Sequence, residues 1–108
     1  MKTIYKYKVN PLEITKIRGK IERFLSVQYQ PSSESVCVWA LVNENISERE
    51  FIVASYGTGH AVESFFTYKD FIGTIQLYND QLVAHFFAID ETLVDAVEAE
   101  EINILLEE

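Results

Sequence analysis

The sequence predicts a mainly β protein, built as an antiparallel sheet, a sandwich or a small barrel, that ends in an acidic C-terminal helix. Its apolar residues fall in short runs rich in β-branched and aromatic side chains, and polar or glycine-containing stretches separate these runs. After Ile89 the composition becomes strongly acidic. The 108 residues suffice for one packed domain. We therefore expect a β-rich domain over residues 1–89 and an acidic helical extension of the same domain over 90–108.

Two strands are predicted at the N-terminus. In MKTIYKYKV, residues 1–9, the tyrosines and Val9 alternate with lysines, which is the period of a half-buried strand. Pro11 ends this strand. LEITKI at 12–17 alternates again, and RGK at 18–20 supplies a glycine turn.

The middle of the chain predicts two further strands. FLSVQYQ at 24–30 reads as a strand, and PSSES at 31–35 has the composition of a loop. VCVWALV at 36–42 is apolar, β-branched and short for a helix. It predicts a central strand that is buried on both faces.

A fifth strand and a hairpin are predicted next. FIVASYG at 51–57 follows the polar connection 43–50. FIGTIQLY at 71–78 and QLVAHFFAI at 81–89 flank Asn79 and Asp80, a pair that favours the positive φ angles of a tight turn.

The acidic end predicts a helix. Asp90 is suited to cap it, because its short carboxylate can accept hydrogen bonds from the first backbone N–H groups. The helix would carry an interrupted apolar stripe, made of Leu93, Val94, Val97, Ile104 and Leu105.

The charge is distributed unevenly. The formal net charge is −8, but residues 1–89 contain nine acidic and nine basic side chains and are neutral. Residues 90–108 contain eight acidic side chains and no lysine or arginine. Residues 1–23 contain seven basic side chains against two acidic ones, a local balance of +5. The chain is therefore polarised from a cationic start to an anionic end.

The sequence favours a cytoplasmic location. Its apolar runs fall short of the roughly 20 residues that span a bilayer, and the first residues lack the apolar centre of a signal peptide. The single cysteine, Cys37, cannot form an internal disulfide. We expect neither a membrane nor DNA as a partner.

The turn YGTGH at 56–60 is the most conspicuous local motif. Its glycines do not match the GxxxxGK spacing of a phosphate loop or the GxGxxG spacing of a dinucleotide site. Two readings stay open. The turn is structural, or its glycines let a ligand approach the backbone while Thr58 and His60 donate hydrogen bonds to it.

Catalytic and metal-binding patterns are lacking in the sequence. Cys37 lies in the most apolar run, where a buried thiol has little reactivity. His85 alternates with apolar residues, which is typical of a core histidine that is hydrogen-bonded to a neighbour. The two histidines and one cysteine form no zinc-ligand spacing. We therefore expect no enzyme, no metal and no cofactor.

The cationic and aromatic residues suggest an anion-binding role. Tyrosines interleave with lysines near the start, and aromatic residues make up 13% of the chain. Stacking on aromatic rings together with a few cations is how proteins hold nucleotides without reading a sequence. The alternative, left open, is that these cations neutralise the acidic C-terminal stretch within one chain or between subunits.

Six fragments together resemble one family. MKTIYKY, FLSVQYQ, CVWALV, GTGH, FIGTIQL and LVAHFF come in the same order as in small proteins, mostly of phages and their bacterial hosts, catalogued as a domain of unknown function. The resemblance covers roughly residues 1–89. Small phage proteins of this sort often resemble inhibitors of host defence, and one such class, the viral sponges, are homo-oligomers that sequester cyclic oligonucleotides without cleaving them. The link to that class is by analogy.

Two functional hypotheses follow. The first is a non-enzymatic, homo-oligomeric phage or prophage anti-defence protein that sequesters a small anionic ligand, with a cyclic oligonucleotide as the candidate. The second is an acidic protein-binding inhibitor that mimics nucleic acid and docks through residues 90–108 on a host protein. For the first hypothesis, the predicted phosphate contacts are Arg18, Lys20 and Arg23, and the predicted base or sugar contacts are Tyr56, Thr58 and His60.

Overall fold

The computed structural model describes residues 1–94, which form two antiparallel β-sheets packed face to face. The strands are β1 (Lys2–Val9), β2 (Ile14–Gly19), β3 (Ile21–Gln30), β4 (Ser35–Asn43), β5 (Arg49–Gly57), β6 (Phe71–Leu77) and β7 (Leu82–Asp90). The three-stranded sheet has the order β1-β4-β3, and the four-stranded sheet has the order β2-β5-β7-β6. The mainly β prediction is confirmed, and the arrangement is that of a sandwich.

The core lies between the two sheets. Alternate residues of β4, among them Val38 and Ala40, face alternate residues of β7 such as Phe86, and all three are fully buried. Each side chain of the size of valine or phenylalanine buried in this way contributes about 1.5–3 kcal/mol to folding. This inter-sheet layer supplies most of the buried apolar side chains of the described chain.

The outer face of the four-stranded sheet carries a second apolar cluster. Ile52 and Ala54 of β5 and Ile89 of β7 form its floor, and Phe66 and Val94 pack over them. Phe66 comes from the connection between β5 and β6, and Val94 follows a 3-10 helix, Glu91–Leu93. We call this surface the covered face.

The outer face of the three-stranded sheet is different. Its pairing places Ile4 opposite Leu41 and Lys6 opposite Trp39, and Leu25 of β3 lies beside them. Ile4 is 58% exposed and Leu25 is 44% exposed. Together with Ser26, Gln28 and Trp39, these two residues line an open depression of about 290 Å³. We call this surface the open face.

Two predictions for β1 and β4 are resolved by this pairing. The alternation in β1 is confirmed, since Tyr5, Tyr7 and Val9 pair with the inward residues of β4. The central position of β4 is confirmed as well. Burial on both faces holds only for its first half, because Trp39 and Leu41 on the open face are partly exposed.

The predicted hairpin of β6 and β7 is also present, with a longer turn than expected. The strands end at Leu77 and resume at Leu82, and the backbone N–H of Gln81 donates to the carbonyl oxygen of Tyr78 at 3.2 Å. Asn79 and Asp80 have positive φ angles of 56° and 69°. Short polar side chains tolerate this region better than others, which explains their position.

The predicted C-terminal helix is not supported. Its first described residues form the short 3-10 helix Glu91–Leu93, and Val94 then returns to extended backbone. The remaining residues, 95–108, lie outside the described part of the chain. Asp90 does cap this 3-10 helix, because its carboxylate accepts from the backbone N–H of Thr92 at 2.9 Å.

No helix within residues 1–94 is long and apolar enough to cross a membrane.

Candidate functional site

The predicted phosphate contacts do not converge. Arg18 lies on β2, an edge strand of the four-stranded sheet, and its guanidinium is paired with Glu48 at 3.5 Å and Glu50 at 3.8 Å. Lys20 lies between β2 and β3, where its ammonium donates to the carbonyl oxygen of Glu44 at 3.3 Å. Arg23 lies on β3 and lines a separate cleft. Carboxylates or backbone oxygens thus already engage two of the three cations.

The cleft that includes Arg23 forms where the two sheets meet at one edge. Strand β3 of one sheet and strand β6 of the other run side by side there. A Cβ atom on Gly73 would lie only 3.1 Å from Cγ1 of Val27, so the missing side chain allows this close approach. The cleft has a volume of about 200 Å³ and is lined by Arg23, Phe24, Lys69, Asp70, Phe71, Ile72 and Ala88. We call it the Arg23–Lys69 cleft.

Backbone irregularities in both strands coincide with this cleft. The register of β3 shifts between Ile21 and Arg23 and again between Phe24 and Ser26. The register of β6 shifts between Phe71 and Gly73. Bulges re-aim side chains and interrupt pairing, and they are over-represented next to functional sites. The bulged segments are therefore the parts of both strands that build the cleft.

The electrostatics of the cleft favour an anion. Lys69 and Arg23 contribute two cations, and neither makes an ion pair with any residue of the described chain. The carboxylate of Asp70 is engaged by the backbone N–H of Thr67 at 2.8 Å and by its hydroxyl at 3.3 Å, as part of a capping box. The formal charge of the side chains that line the cleft is therefore +1. Because Asp70 is engaged within its own turn, both cations can contact a ligand.

Two phenyl rings flank these cations in fixed positions. Phe24 packs edge-to-face on Phe51 with ring centroids 5.5 Å apart, and Phe71 packs in the same manner on Phe87 at 5.4 Å. Phe71 remains 48% exposed. Its partner Phe87 is partly buried. An exposed ring that is held against a second ring is suited to stacking on a planar ligand group.

The YGTGH turn forms a second polar cluster, on the outer side of the four-stranded sheet. The Thr58 hydroxyl lies 2.7 Å from Nε2 of His85, and the Thr74 hydroxyl lies 2.8 Å from its Nδ1. Both ring nitrogens are thus hydrogen-bonded to a neighbour, as predicted for His85, but the side chain is only partly buried and does not belong to the core. The pairing also fixes the turn against β6 and β7.

The contact between the Thr58 hydroxyl and the His85 imidazole is as short as the hydrogen bond that joins a catalytic nucleophile to its base. The third group, however, is the neutral hydroxyl of Thr74, which cannot compensate a charge that forms on the imidazole as a carboxylate would. No cluster of three or more histidine, cysteine or carboxylate side chains within the described residues could hold a metal ion. The geometry is therefore that of a structural clamp.

Tyr56 and His60 also contact other residues of the turn and its surroundings. Tyr56 packs against Phe66 and Phe87 with centroids about 6 Å apart, and its hydroxyl accepts from the backbone N–H of Glu63 at 3.5 Å. Burial raises the pKa of Tyr56 to about 12. The His60 ring covers Gly57, where a Cβ would lie 2.8 Å from Cε1. Of the three residues predicted to contact a base or sugar, only Thr58 and His60 are exposed.

The structure therefore divides the six predicted residues among separate places, and only Arg23 lines the Arg23–Lys69 cleft. Sequence reasoning missed Lys69 and Phe71. They are more than 40 residues from Arg23 along the chain and belong to the connection before β6 and to its first residue. Because no local motif joins these segments, only the docking of the two sheets could reveal the site.

The chain belongs to a family described as a domain of unknown function, DUF7352, whose model matches residues 1–94. This agrees with the family type that the sequence fragments suggested. No curated protein and no solved structure matches the chain.

Proposed function

We propose that this protein is a non-enzymatic binding protein that holds a small anionic ligand in the Arg23–Lys69 cleft. The observation that carries the proposal is the pair of cations, free of ion pairs within the described chain, beside two anchored phenyl rings. A phosphate between the guanidinium of Arg23 and the ammonium of Lys69 would accept charge-assisted hydrogen bonds from both. Such bonds are stronger than hydrogen bonds between neutral groups.

The ligand class follows from the size and composition of the cleft. A volume of about 200 Å³ is below the about 300–1,000 Å³ of sites that enclose a whole drug-sized ligand. It suits one phosphate and part of one base, with Phe71 as the stacking platform. A nucleotide, or one unit of an oligonucleotide, fits this description.

The more specific proposal names the biological ligand. We propose that it is a cyclic oligonucleotide and that the protein comes from a phage or prophage, acts in the host cytoplasm and sequesters a defence signal, as a homo-oligomer. This part is supported by the resemblance to small phage proteins and by the cationic, aromatic character of the cleft. A ring of several nucleotides would extend beyond one cleft, so a second subunit would contact its remaining units.

Calorimetry at low salt tests the proposal. The panel contains inorganic phosphate, nucleoside monophosphates, and cyclic dinucleotides and trinucleotides. We expect binding of at least one nucleotide, and an affinity that falls as salt rises because phosphate contacts are charged. The double variant Arg23→Gln with Lys69→Gln should weaken binding roughly a hundredfold, about tenfold for each charge-assisted contact.

The matched control is the double variant Arg18→Gln with Lys20→Gln, which removes the same charge at two predicted contacts outside the cleft. It should bind like the parent. Equal loss in both variants would indicate non-specific attraction and contradict the site.

Chromatography of the released ligand tests the non-enzymatic part, since a sponge returns the nucleotide unchanged. Absence of heat with every member of the panel would contradict the proposed function. If a host protein then co-purified through residues 90–108, the acidic-inhibitor hypothesis would replace it.

A further inference from the structure

Strand β1 is an edge of the three-stranded sheet. Within residues 1–94 it pairs with β4 alone, through its whole length and without a register shift. The opposite edge strand of this sheet, β3, is shielded, because β6 of the other sheet runs beside it. Six of the eight residues of β1 are exposed to solvent. A long, regular and unshielded edge strand is a template on which a further strand can pair.

The backbone of β1 directs half of its polar groups away from β4. The N–H of Glu44 donates to the carbonyl oxygen of Met1 at 3.4 Å, whereas the N–H of Asn43 donates on the other side of β4, to the carbonyl oxygen of Lys20 at 2.9 Å. Hydrogen-bonded pairs alternate along an antiparallel ladder, so only the odd-numbered residues of β1 exchange backbone hydrogen bonds with β4. The even-numbered residues direct their N–H and C=O groups out of the sheet edge. These residues are Lys2, Ile4, Lys6 and Lys8.

The same even-numbered residues carry positive charge that is only partly neutralised. Lys6 donates to the neutral side chain of Gln30 at 2.9 Å, and neither Lys6 nor Lys8 forms an ion pair with any residue in the part of the chain that the structure describes. Strand β2, an edge of the other sheet, differs, because its Lys16 and Arg18 are paired with carboxylates. The edge of β1 therefore presents uncompensated cations beside unpaired backbone groups.

A second copy of β1 is a poor partner for this edge. In an antiparallel ladder, residues whose backbone groups point outwards lie opposite one another, so even-numbered residues would face even-numbered residues. Every such register that pairs four or more residues places a lysine opposite a lysine, for example Lys2 opposite Lys8. Like charges directly opposite each other destabilise a sheet. The charge pattern thus selects a strand that carries carboxylates.

We propose that β1 binds an extended acidic segment of a partner protein, which joins the three-stranded sheet as a fourth, antiparallel strand. Carboxylates at alternate positions would lie opposite Lys6 and Lys8, where the Cβ atoms of facing residues are about 4.5–5.5 Å apart. Apolar side chains between them would contact Tyr5, which is 50% exposed and lies on the other side of the strand. Anionic lipids and nucleic acids could neutralise the lysines, but they could not complete the backbone ladder. This inference does not depend on the proposed function.

Fluorescence anisotropy with a labelled synthetic peptide tests the proposal on the full-length protein. The probe is TVEVEVTS, in which two glutamates alternate with valines, and we expect it to bind. The variant Lys6→Glu with Lys8→Glu should weaken binding by roughly tenfold or more, because two attractive cross-strand pairs become repulsive. This variant should instead prefer the peptide TVKVKVTS. The matched control is Lys20→Glu with Lys69→Glu, which changes the charge equally at exposed lysines outside β1 and should bind TVEVEVTS like the parent.

Two modified peptides test the backbone ladder with the parent protein, so this part does not depend on the folding of a variant. In the proposed register, the N–H groups of the glutamates donate to β1 and those of the valines point away. N-methylation of both glutamates should therefore abolish binding, although both carboxylates remain. N-methylation of the two valines that flank the second glutamate should preserve binding.

Amide hydrogen exchange locates the contact on the protein. In the free protein, the amides of Ile4, Lys6 and Lys8 should exchange faster than those of Tyr5 and Tyr7, which are bonded to β4. Added TVEVEVTS should slow the exchange of the first three.

Four results would overturn the proposal. The first is no binding of TVEVEVTS, and the second is equal binding of the two N-methylated peptides, which would leave only attraction between charges. The third is an equal loss of affinity in the Lys20→Glu with Lys69→Glu control, which would indicate non-specific attraction. The fourth is slow exchange of Ile4, Lys6 and Lys8 in the free protein, which would show that the edge is already occupied.

Discussion

The two outer faces of the sandwich both carry apolar side chains, but other parts of the described chain cover only one of them. The covered face has Ile52, Ala54 and Ile89 at its centre, and the chain passes back over it twice, through Phe66 and Val94. The open face has Ile4, Leu25 and Trp39, and their side chains remain partly or largely exposed. Apolar content alone therefore does not decide burial. What decides it is whether a connection is long enough to return across the sheet.

The connections explain the difference. The link between β5 and β6 runs from residue 58 to 70 and delivers two phenylalanines to the covered face. The links around the three-stranded sheet are short; β3 and β4, for example, are joined by residues 31–34. A connection of that length closes a hairpin and has no chain left to cover a sheet.

The substitution with the largest expected effect removes Phe66, a side chain that covers the outer face of the four-stranded sheet. Phe66 is 8% exposed and contacts Tyr56, Phe65 and Phe87 through its ring. We expect Phe66→Ala to lower the free energy of unfolding by about 3–4 kcal/mol, because the cavity that it leaves adds to the lost burial. Urea denaturation measures this change.

The matched substitution on the open face is Leu25→Ala. Because Leu25 is 44% exposed, its truncation should cost less than about 1 kcal/mol. A cost equal to that of Phe66→Ala would mean that the two faces are equally covered and would contradict the comparison.

The second test compares two carboxylates. Asp90, next to the covered face, is 8% exposed. Burial opposes its ionisation, but hydrogen bonds from Thr92 and Arg49 outweigh burial and lower the pKa of Asp90. We expect Asp90→Asn to cost roughly 2 kcal/mol at neutral pH, since it weakens charged hydrogen bonds.

The sign of the pH dependence follows from the direction of that shift. A carboxyl whose folded pKa lies below its unfolded pKa stabilises the fold above the unfolded value, about 3.9, and loses this effect as pH falls through the folded pKa. The difference between the parent and Asp90→Asn should therefore shrink below about pH 4. Unfolding curves at neutral and acidic pH measure it.

Glu22 is the control for Asp90. Hydrogen bonds from Asn43 and Lys2 lower the pKa of Glu22 as well, but this side chain lies at the solvent-exposed edge of the open face. Glu22→Gln should leave the unfolding midpoint unchanged at neutral pH, because water screens exposed pairs. A loss as large as that of Asp90→Asn would show that position in the fold does not set the strength of these pairs.

The third test concerns the connection that covers the four-stranded sheet. Gly59 has a φ of 86°, which side chains rarely adopt, so Gly59→Ala should cost about 1–2 kcal/mol although nothing lies within 4 Å of the added Cβ. Gly57→Ala should cost less, because the His60 ring that it meets is exposed and can rotate away.

A double variant separates the two causes in this turn. In a His60→Ala background, the cost of Gly57→Ala should disappear, since its steric partner is gone. The cost of Gly59→Ala should persist, since it comes from the backbone. Thermal unfolding of the four variants measures both effects, and a Gly59→Ala cost that vanished with His60 would contradict the backbone explanation.

The sequence predicted the presence and order of the strands because most of them depend on a short local pattern. The predicted glycine turn at 18–20 was largely wrong, since Arg18 and Gly19 belong to β2. The alternation of tyrosine and lysine in β1 and the Asn79–Asp80 turn signal were enough to place those elements. The partly open side of β4 could not be predicted, because VCVWALV is apolar on both faces. Only the pairing and the packing show which face another element covers.

The candidate site was predicted only in part. The cationic start of the chain drew attention to Arg23, which lines the cleft, but equal weight went to Arg18 and Lys20, which carboxylates or a backbone carbonyl engage. Lys69 and Phe71 carry no motif of their own. Their relation to Arg23 depends on the meeting of β3 with β6, which local sequence does not encode.

The sequence by itself determined the class of fold, the order of the strands and the uneven distribution of charge, because period, turn residues and composition are local properties. The tertiary structure decided which cations are free, which sheet is covered and where a cleft forms. These outcomes depend on contacts between residues far apart in the chain. Their energies are set by burial and by the distance between charges, and both exist only once the two sheets have packed together.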